Sequence, residues 1–323
     1  MAPETLDFEE PVAALLKEAE AVGRQPPTEA TQEALEALRQ KIHDTRVALY
    51  ASLTPWQRVL VARHPDRPSL DVFASLLFTG FVEIHGDRRF ADDPAILTGF
   101  ADYKGRPVLL VGHVKGRDTK AKIHHNFGYA RPEGYRKALR AMQWAEKFRR
   151  PIVVFVDTPA AYPGIESEER GVSEAIAVNL REMAMLETPI VVVVSGEGGS
   201  GGALGIAVGD RVLMLEYAIY SVIPPEGCAA ILWRDASKKA EAAAALKLTA
   251  PDLLKARVID EIVPEPIGGA HVDPEAAARL VDGALDRALS EVSALDAGTR
   301  LTRRYDKFRQ MGRLGVDFAE GDA

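Results

Sequence analysis

The chain is predicted to be an α/β protein, organised round a sheet that helices cover on both sides. Three observations carry this. Short apolar runs recur from about residue 95 onward, and the central ones, such as Ile190-Val191-Val192-Val193-Val194, lack the alternation of a strand with one wet face. Segments of helical period lie between them. Two of the runs lead into glycine- and proline-rich turns, as strands do at the ligand end of an open α/β sheet. With 323 residues and 47% hydrophobic content, the chain is long enough for a large core.

In chain order, residues 8–22 and 29–51 read as helices separated by Pro26-Pro27, with Thr28 or Thr31 capping the second. Leu35, Leu38 and Ile42 form a narrow apolar stripe on an otherwise charged segment, suited to packing against a partner or the main body. Residues 1–52 are therefore expected to form an N-terminal helical arm. A break at His64-Pro65-Asp66-Arg67-Pro68 precedes the core. The main domain is expected over 53–293 and a C-terminal helical tail over 294–323. Strands are expected at 96–103, 108–114, 152–156, 190–194, 212–215 and 219–222. Helices are expected at 133–149, where Tyr135, Leu139, Met142 and Phe148 fall near one face, and at 168–186, where Val172, Ile176, Leu180 and Met183 do the same. Further helices are expected at 225–233, 236–247, 273–293 and 297–311.

Composition excludes several classes. A formal net charge of −7 argues against a broad nucleic-acid-binding surface. Cys228 is the only cysteine, so an intramolecular disulfide and a cysteine-built zinc site are both ruled out, and a single thiol suits a reducing cytosol. The start, Met1-Ala2-Pro3-Glu4-Thr5-Leu6-Asp7-Phe8-Glu9-Glu10, is acidic and resembles neither a secretory signal nor a transit peptide. No apolar run approaches the roughly 20 residues that span a bilayer. A cytoplasmic protein without membrane contact is expected.

The most informative segment is Gly196-Glu197-Gly198-Gly199-Ser200-Gly201-Gly202-Ala203-Leu204. Five glycines in seven residues strip the side chains from one turn, at a cost in backbone entropy. Four readings compete. Gly196-x-Gly198-x-x-Gly201 fits a dinucleotide fingerprint, with Glu216 about twenty residues on. Against it, Gly209-Asp210 ends the following helix too soon for a nucleotide-binding crossover. Gly198-x-Ser200-x-Gly202 fits the nucleophile elbow of a Ser200-dependent acyl hydrolase, which would need Asp260 and His271 as partners. Backbone amides could instead form an oxyanion hole. In the plainest reading the glycines only allow tight packing. A second turn, Asp157-Thr158-Pro159-Ala160-Ala161-Tyr162-Pro163-Gly164, follows another apolar strand and is expected to line the same cleft.

These two turns, together with Ser221-Val222-Ile223-Pro224-Pro225-Glu226-Gly227-Cys228-Ala229 and Pro264-Glu265-Pro266-Ile267-Gly268-Gly269-Ala270-His271, resemble the alpha subunits of bacterial acetyl-CoA carboxylase carboxyltransferase. Leu6-Asp7-Phe8-Glu9, Gly86-Asp87-Arg88, Gly112-His113-Val114-Lys115-Gly116-Arg117 and Pro132-Glu133-Gly134-Tyr135-Arg136-Lys137-Ala138 match the same family, so the resemblance covers nearly the whole chain. One departure is Ala160, where the family usually has glycine. The resemblance implies a crotonase/ClpP-like spiral of ββα units. It implies transfer of a carboxyl group from carboxybiotin, borne on a biotin carboxyl carrier protein, to acetyl-CoA, giving malonyl-CoA for fatty acid biosynthesis. The implied partners are a zinc-ribbon beta subunit in an α2β2 assembly, the carrier protein and biotin carboxylase, with no metal in this chain. By the same resemblance the amides of Gly201 and Gly202 hold the biotin ureido oxygen. Gly198, Gly199, Tyr162 and Gly164 contact substrate, and Ser200 is a turn residue.

Other polar residues are open to two readings. Lys115, Arg117, Lys120 and Lys122, near His124-His125, either attract anionic groups or form a solvated face. His113 reads as a satisfied core histidine. Glu197 pairs with a cation or accepts hydrogen bonds within its turn. A non-enzymatic scaffold that assembles through the N-terminal arm is the remaining alternative.

Overall fold

The apolar runs form strands in a computed structural model that describes residues 6–312. The first five residues of the expected arm and 313–323 of the expected tail lie outside the described residues. Among the described residues the strands are β1 (Thr79–Glu83), β2 (Ile96–Tyr103), β3 (Arg106–His113), β4 (Ile152–Thr158), β5 (Ile190–Gly199), β6 (Arg211–Leu215), β7 (Ile219–Ser221) and β8 (Glu261–Val263). They form one sheet in the order β1-β2-β3-β4-β5-β6-β8, with β7 pairing to β5.

The sheet is mixed. β1, β2 and β3 are antiparallel, whereas β3 through β6 and β8 run parallel. A two-residue turn joins β2 to β3, with Lys104 at φ 52° and Gly105 at φ 78°, which suits the twist of a hairpin. Every residue of β4 is buried, as its composition predicts. β5 changes partner along its length. Val191–Val194 pair with β6, and Glu197–Gly199 pair with β7. The expected glycine turn is therefore strand as far as Gly199, because it is paired on both sides there. The glycines serve close approach between backbones more than reversal of the chain.

Helices α1 (Glu10–Gly23) and α2 (Glu29–Tyr50) make the arm. Thr28 caps α2 by accepting the Thr31 amide. Leu38 and Ile42 pack on Val12 and Leu15, so the apolar stripe closes the arm on itself. Tyr50 ties the arm to the body: its hydroxyl donates to Glu9 at 2.7 Å, and its ring meets Tyr217 edge-on at 5.2 Å. Helices α3 (Pro55–Ala62) and α4 (Leu70–Leu77) fill a stretch in which the sequence predicts no element.

The remaining helices are α5 (Thr119–His124), α6 (Pro132–Lys147), α7 (Ile165–Glu169), α8 (Val172–Met185), α9 (Ser200–Leu204), α10 (Pro225–Trp233), α11 (Lys239–Leu246), α12 (Ala250–Lys255), α13 (Pro274–Ser293) and α14 (Ala297–Gln310). The single helix expected over 168–186 is divided at Gly171, which takes φ 78°. No helix among the described residues is long and apolar enough to cross a membrane.

Arg304 anchors α14 at the amino ends of the parallel strands. Its guanidinium meets both carboxylate oxygens of Asp210 at 2.8 Å and the carbonyls of Met183, Leu186 and Thr188 at 2.7–3.1 Å. Both side chains are buried. Removing one member of such a pair leaves the other charge uncompensated. Arg304→Met is therefore expected to lower stability by about 3–5 kcal/mol, read from urea unfolding. A loss within experimental error would show that α14 is an appendage.

Candidate active site

The two predicted turns meet at the carboxyl ends of β4 and β5. Their contact is backbone on backbone. A Cβ placed on Gly199 would lie 1.8 Å from the Pro159 carbonyl oxygen, and one on Gly202 would lie 2.4 Å from the Ala160 carbonyl carbon. A Cβ on Gly196 would fall 2.3 Å from Asp157 Oδ1, and one on Gly198 would fall 2.6 Å from the Tyr220 ring. Only at Gly201 would a Cβ be accommodated, in ordinary van der Waals contact with Ile176 at 3.5 Å. Four of the five glycines are thus fixed by packing, and the fifth would tolerate a methyl group.

After Gly199, Ser200 takes φ 49° and the chain enters α9. Gly199 has no side chain to cap this helix. The first-turn amides, including those of Gly201 and Gly202, have no capping side chain and suit an external acceptor. Gly199, Ser200 and Gly201 are half-exposed, while Gly198 and Gly202 are buried. The turn after β4 carries Tyr162, whose amide donates to the Ala130 carbonyl at 2.9 Å. The Arg131 guanidinium sits 5.0 Å over its ring. Gly164 is needed because a Cβ there would be 2.3 Å from Tyr162 Cε1. Ala160 does not take a positive φ, so its methyl adds no backbone strain to the turn.

Charged side chains lock the two turns from beneath. Lys115 Nζ reaches Asp157 Oδ1 at 2.7 Å and Glu197 Oε2 at 2.8 Å. Glu197 Oε1 accepts from Arg63 Nε at 2.6 Å, and Arg63 also binds Glu226 at 2.6 Å. Asp157 Oδ1 accepts the Glu197 amide at 2.9 Å. Burial would raise the Glu197 carboxyl, but Lys115 and Arg63 outweigh it and hold the group below its ordinary value. Burial would likewise lower Lys115, and Asp157 with Glu197 raise it above its ordinary value instead. Deeper still, Arg67 grips Glu265 through two bonds of 2.6 and 3.0 Å and donates to the Ser195 carbonyl at 2.7 Å. Glu265 also accepts the Tyr217 and Ala270 amides.

Several sequence readings change here. The four basic residues do not form one cluster, since Lys115 points inward while Arg117 and Lys120 are exposed. Glu197 does pair with cations, two of them. His113 is fully buried, but its ring lies against the Gly202 and Phe155 backbone without a well-formed hydrogen bond. Burial, reinforced by Lys115, pushes its pKa down to about 3, so it stays neutral. The hydrolase partners do not gather round Ser200. Asp260 accepts the Val212 amide at the amino end of β6 and binds Lys307. His271 stacks on His64 at 3.9 Å. The dinucleotide reading fails as well, because α9 has only five residues. The sequence carries no periodic signal for Arg63 or Arg67, which lie in and beside a proline-bounded break.

The family described as acetyl co-enzyme A carboxylase carboxyltransferase-like matches residues 5–312. The acetyl-coenzyme A carboxylase carboxyl transferase subunit alpha of Geobacter metallireducens is 61% identical over 277 residues, which is 86% of this chain and 87% of that one. The subunit of the same name from Phenylobacterium zucineum is 51% identical over 319 residues, covering 98% and 100%. Among solved structures, a transcarboxylase 12S core aligns with TM-score 0.55 at 20% identity, over 70% of this chain and 42% of that one. A Pseudomonas malonate decarboxylase hetero-tetramer aligns with TM-score 0.54 at 19% identity, over 68% and 90%. The shared architecture is the crotonase-like fold, here with an N-terminal helical segment. β6, β7 and α10 follow one another in strand–strand–helix order, as do β2, β3 and α6 with the short α5 intervening.

The lock has a pH signature. Glu197 is held below its ordinary 4.5, so its contribution is present above that value and lost as pH falls through the lower folded-state value. Lys115 is held above its ordinary 10.5, so its contribution is present below that value and lost as pH rises through the folded-state one. Lys115→Met is expected to cost about 3 kcal/mol at neutral pH, with the difference from the parent shrinking in acid. Urea midpoints measured across pH would show this. A pH-independent difference would mean that the ammonium contributes packing alone.

Proposed function

The chain belongs to the acetyl-coenzyme A carboxylase carboxyltransferase family, and from that membership we propose that Gly201 and Gly202 act as its catalytic donors. Its activity is that of the carboxyltransferase alpha subunit, serving fatty acid biosynthesis. The acceptor is acetyl-CoA and the product malonyl-CoA.

The group the family implies is biotin, carried on a separate protein. The site fits it on two counts. The first turn of α9 offers uncapped amides, and Gly201 among them is half-exposed, so an outside acceptor can approach. When bound, biotin supplies the carried carboxyl group and a ureido oxygen on which negative charge grows during transfer. The Gly201 and Gly202 amides donate to that oxygen. They are fixed before reaction, so no reorganisation opposes charge development; one such donor is typically worth about 3 kcal/mol, roughly a hundredfold in rate. Gly199, Tyr162 and Gly164 line the approach, and Gly198 supports it from the β5–β7 ladder. The chain supplies no nucleophile, and Ser200 serves to start the helix.

The family membership implies a multi-subunit enzyme with a beta subunit. We assign this chain a zinc-ribbon beta subunit in an α2β2 assembly, a biotin carboxyl carrier protein, biotin carboxylase and a cytoplasmic setting. Val222, Ile231 and Leu232, exposed on and beside α10, support a protein partner near the glycine turn. The divisions 1–52, 53–293 and 294–323 are proposed as arm, carboxyltransferase domain and tail.

The observation that carries this reading is the uncapped helix start held against the β4 turn. Incubation of the chain and its beta subunit with malonyl-CoA and biocytin should show carboxyl transfer. Gly202→Ala should reduce it at least a hundredfold, because the added methyl drives the turns apart. Ser200→Gly, which suits φ 49°, should leave it within a few-fold. Loss of activity in Ser200→Gly, or full activity in Gly202→Ala, would sink the assignment.

A further inference from the structure

A helix of five residues has almost no stability of its own. Something must hold α9 if its amides are to point steadily into the cleft. Its carbonyl end supplies the answer. The Tyr135 hydroxyl, from α6, donates to the Gly202 carbonyl at 3.3 Å. The Asn179 carboxamide, from α8, donates to the Gly205 carbonyl at 2.8 Å and to the Tyr135 carbonyl at 2.9 Å. Both side chains are fully buried. Gly205 lies on the Tyr135 ring, where a Cβ would come within 2.7 Å.

The orientation of Asn179 is fixed by chemistry. Its nitrogen faces two carbonyl oxygens, so turning the amide over would set oxygen against oxygen. Its own oxygen has no partner. A buried polar atom left unpaired is costly, and Asn179 accepts that cost while supplying two donors. A leucine of similar volume would pack without it. That trade points to a requirement for the donors themselves.

We propose that Tyr135 and Asn179 are positioning residues for carboxyl transfer: they hold the carbonyl end of α9 so that its amide end stays aimed at the cleft. The proposal rests on the reading of Gly201 and Gly202 as donors. Neither residue touches substrate. Their effect passes through α9, so it should appear in turnover and not in the affinity for acyl-CoA.

The test uses the assembled enzyme with Tyr135→Phe and Asn179→Leu, rates being taken per folded, assembled complex. Two readouts are combined: kcat and KM for malonyl-CoA with biocytin, and hydrogen exchange of the Gly205, Ile206 and Ala207 amides. These amides bond to carbonyls within α9. The expected result is a fall in kcat of about threefold to tenfold for Tyr135→Phe and more for Asn179→Leu. KM for malonyl-CoA should stay unchanged, and exchange should quicken at those three amides while the rest of α6 and α8 keeps its protection. If Asn179→Leu does not fold, Tyr135→Phe decides alone. Unchanged α9 exchange would overturn the clamp. Faster exchange with full kcat would overturn its role in the reaction. An inactive parent complex would instead count against the functional reading, and the exchange data would still judge the clamp.

Discussion

The site depends on a single ammonium. Lys115 leaves the end of β3 and joins Asp157, at the end of β4, to Glu197, near the end of β5. Without it, two carboxylates would face each other below the place where the turns touch. With it and Arg63, the buried charges balance, and Glu226 completes the outer edge. The glycines above then have one separation to satisfy, and the near-contacts at Gly196, Gly199 and Gly202 show how tightly it is set. Charge fixes the distance between the strand ends, and missing side chains allow that distance to be short.

This arrangement suits a reaction in which the protein donates hydrogen bonds and supplies no nucleophile. Ser200 is half-exposed but has no acid or base beside it from Asp260 or His271, and the other side chains with reactive potential are withdrawn. His113 is buried and neutral, Glu197 is consumed by two cations, and Asp260 and His271 are engaged away from Ser200. What remains at the rim is main chain and a few side chains such as Tyr162. Fixed dipoles of this kind stabilise developing charge without moving.

Much of this was legible in the sequence. The strand β2 and the helix α10 fall on their expected bounds, because apolar composition in one case and a proline start in the other leave little choice. β1 carries no sequence signal because it is short and mostly exposed, and β8 carries none because three residues give no period. The extension of β5 through Gly199 runs against the weak strand preference of glycine, and only pairing with β4 and β7 explains it. The glycine-rich segment and the Asp157–Gly164 turn could be picked out directly, although the first of them is strand as far as Gly199. The lock could not. A basic run looks the same whether or not one of its members turns inward, so nothing sets Lys115 apart from Arg117, Lys120 and Lys122, and Arg63 and Arg67 carry no pattern that marks them.

The central claim is that bare amides at the start of α9 meet the oxygen on which charge gathers. A crystal structure of the assembled enzyme with biocytin tests it most directly. The account predicts the ureido oxygen within hydrogen-bonding distance, about 2.7–3.1 Å, of the Gly201 and Gly202 nitrogens. A ureido oxygen held by side chains elsewhere, with those two amides turned from it, would contradict the account.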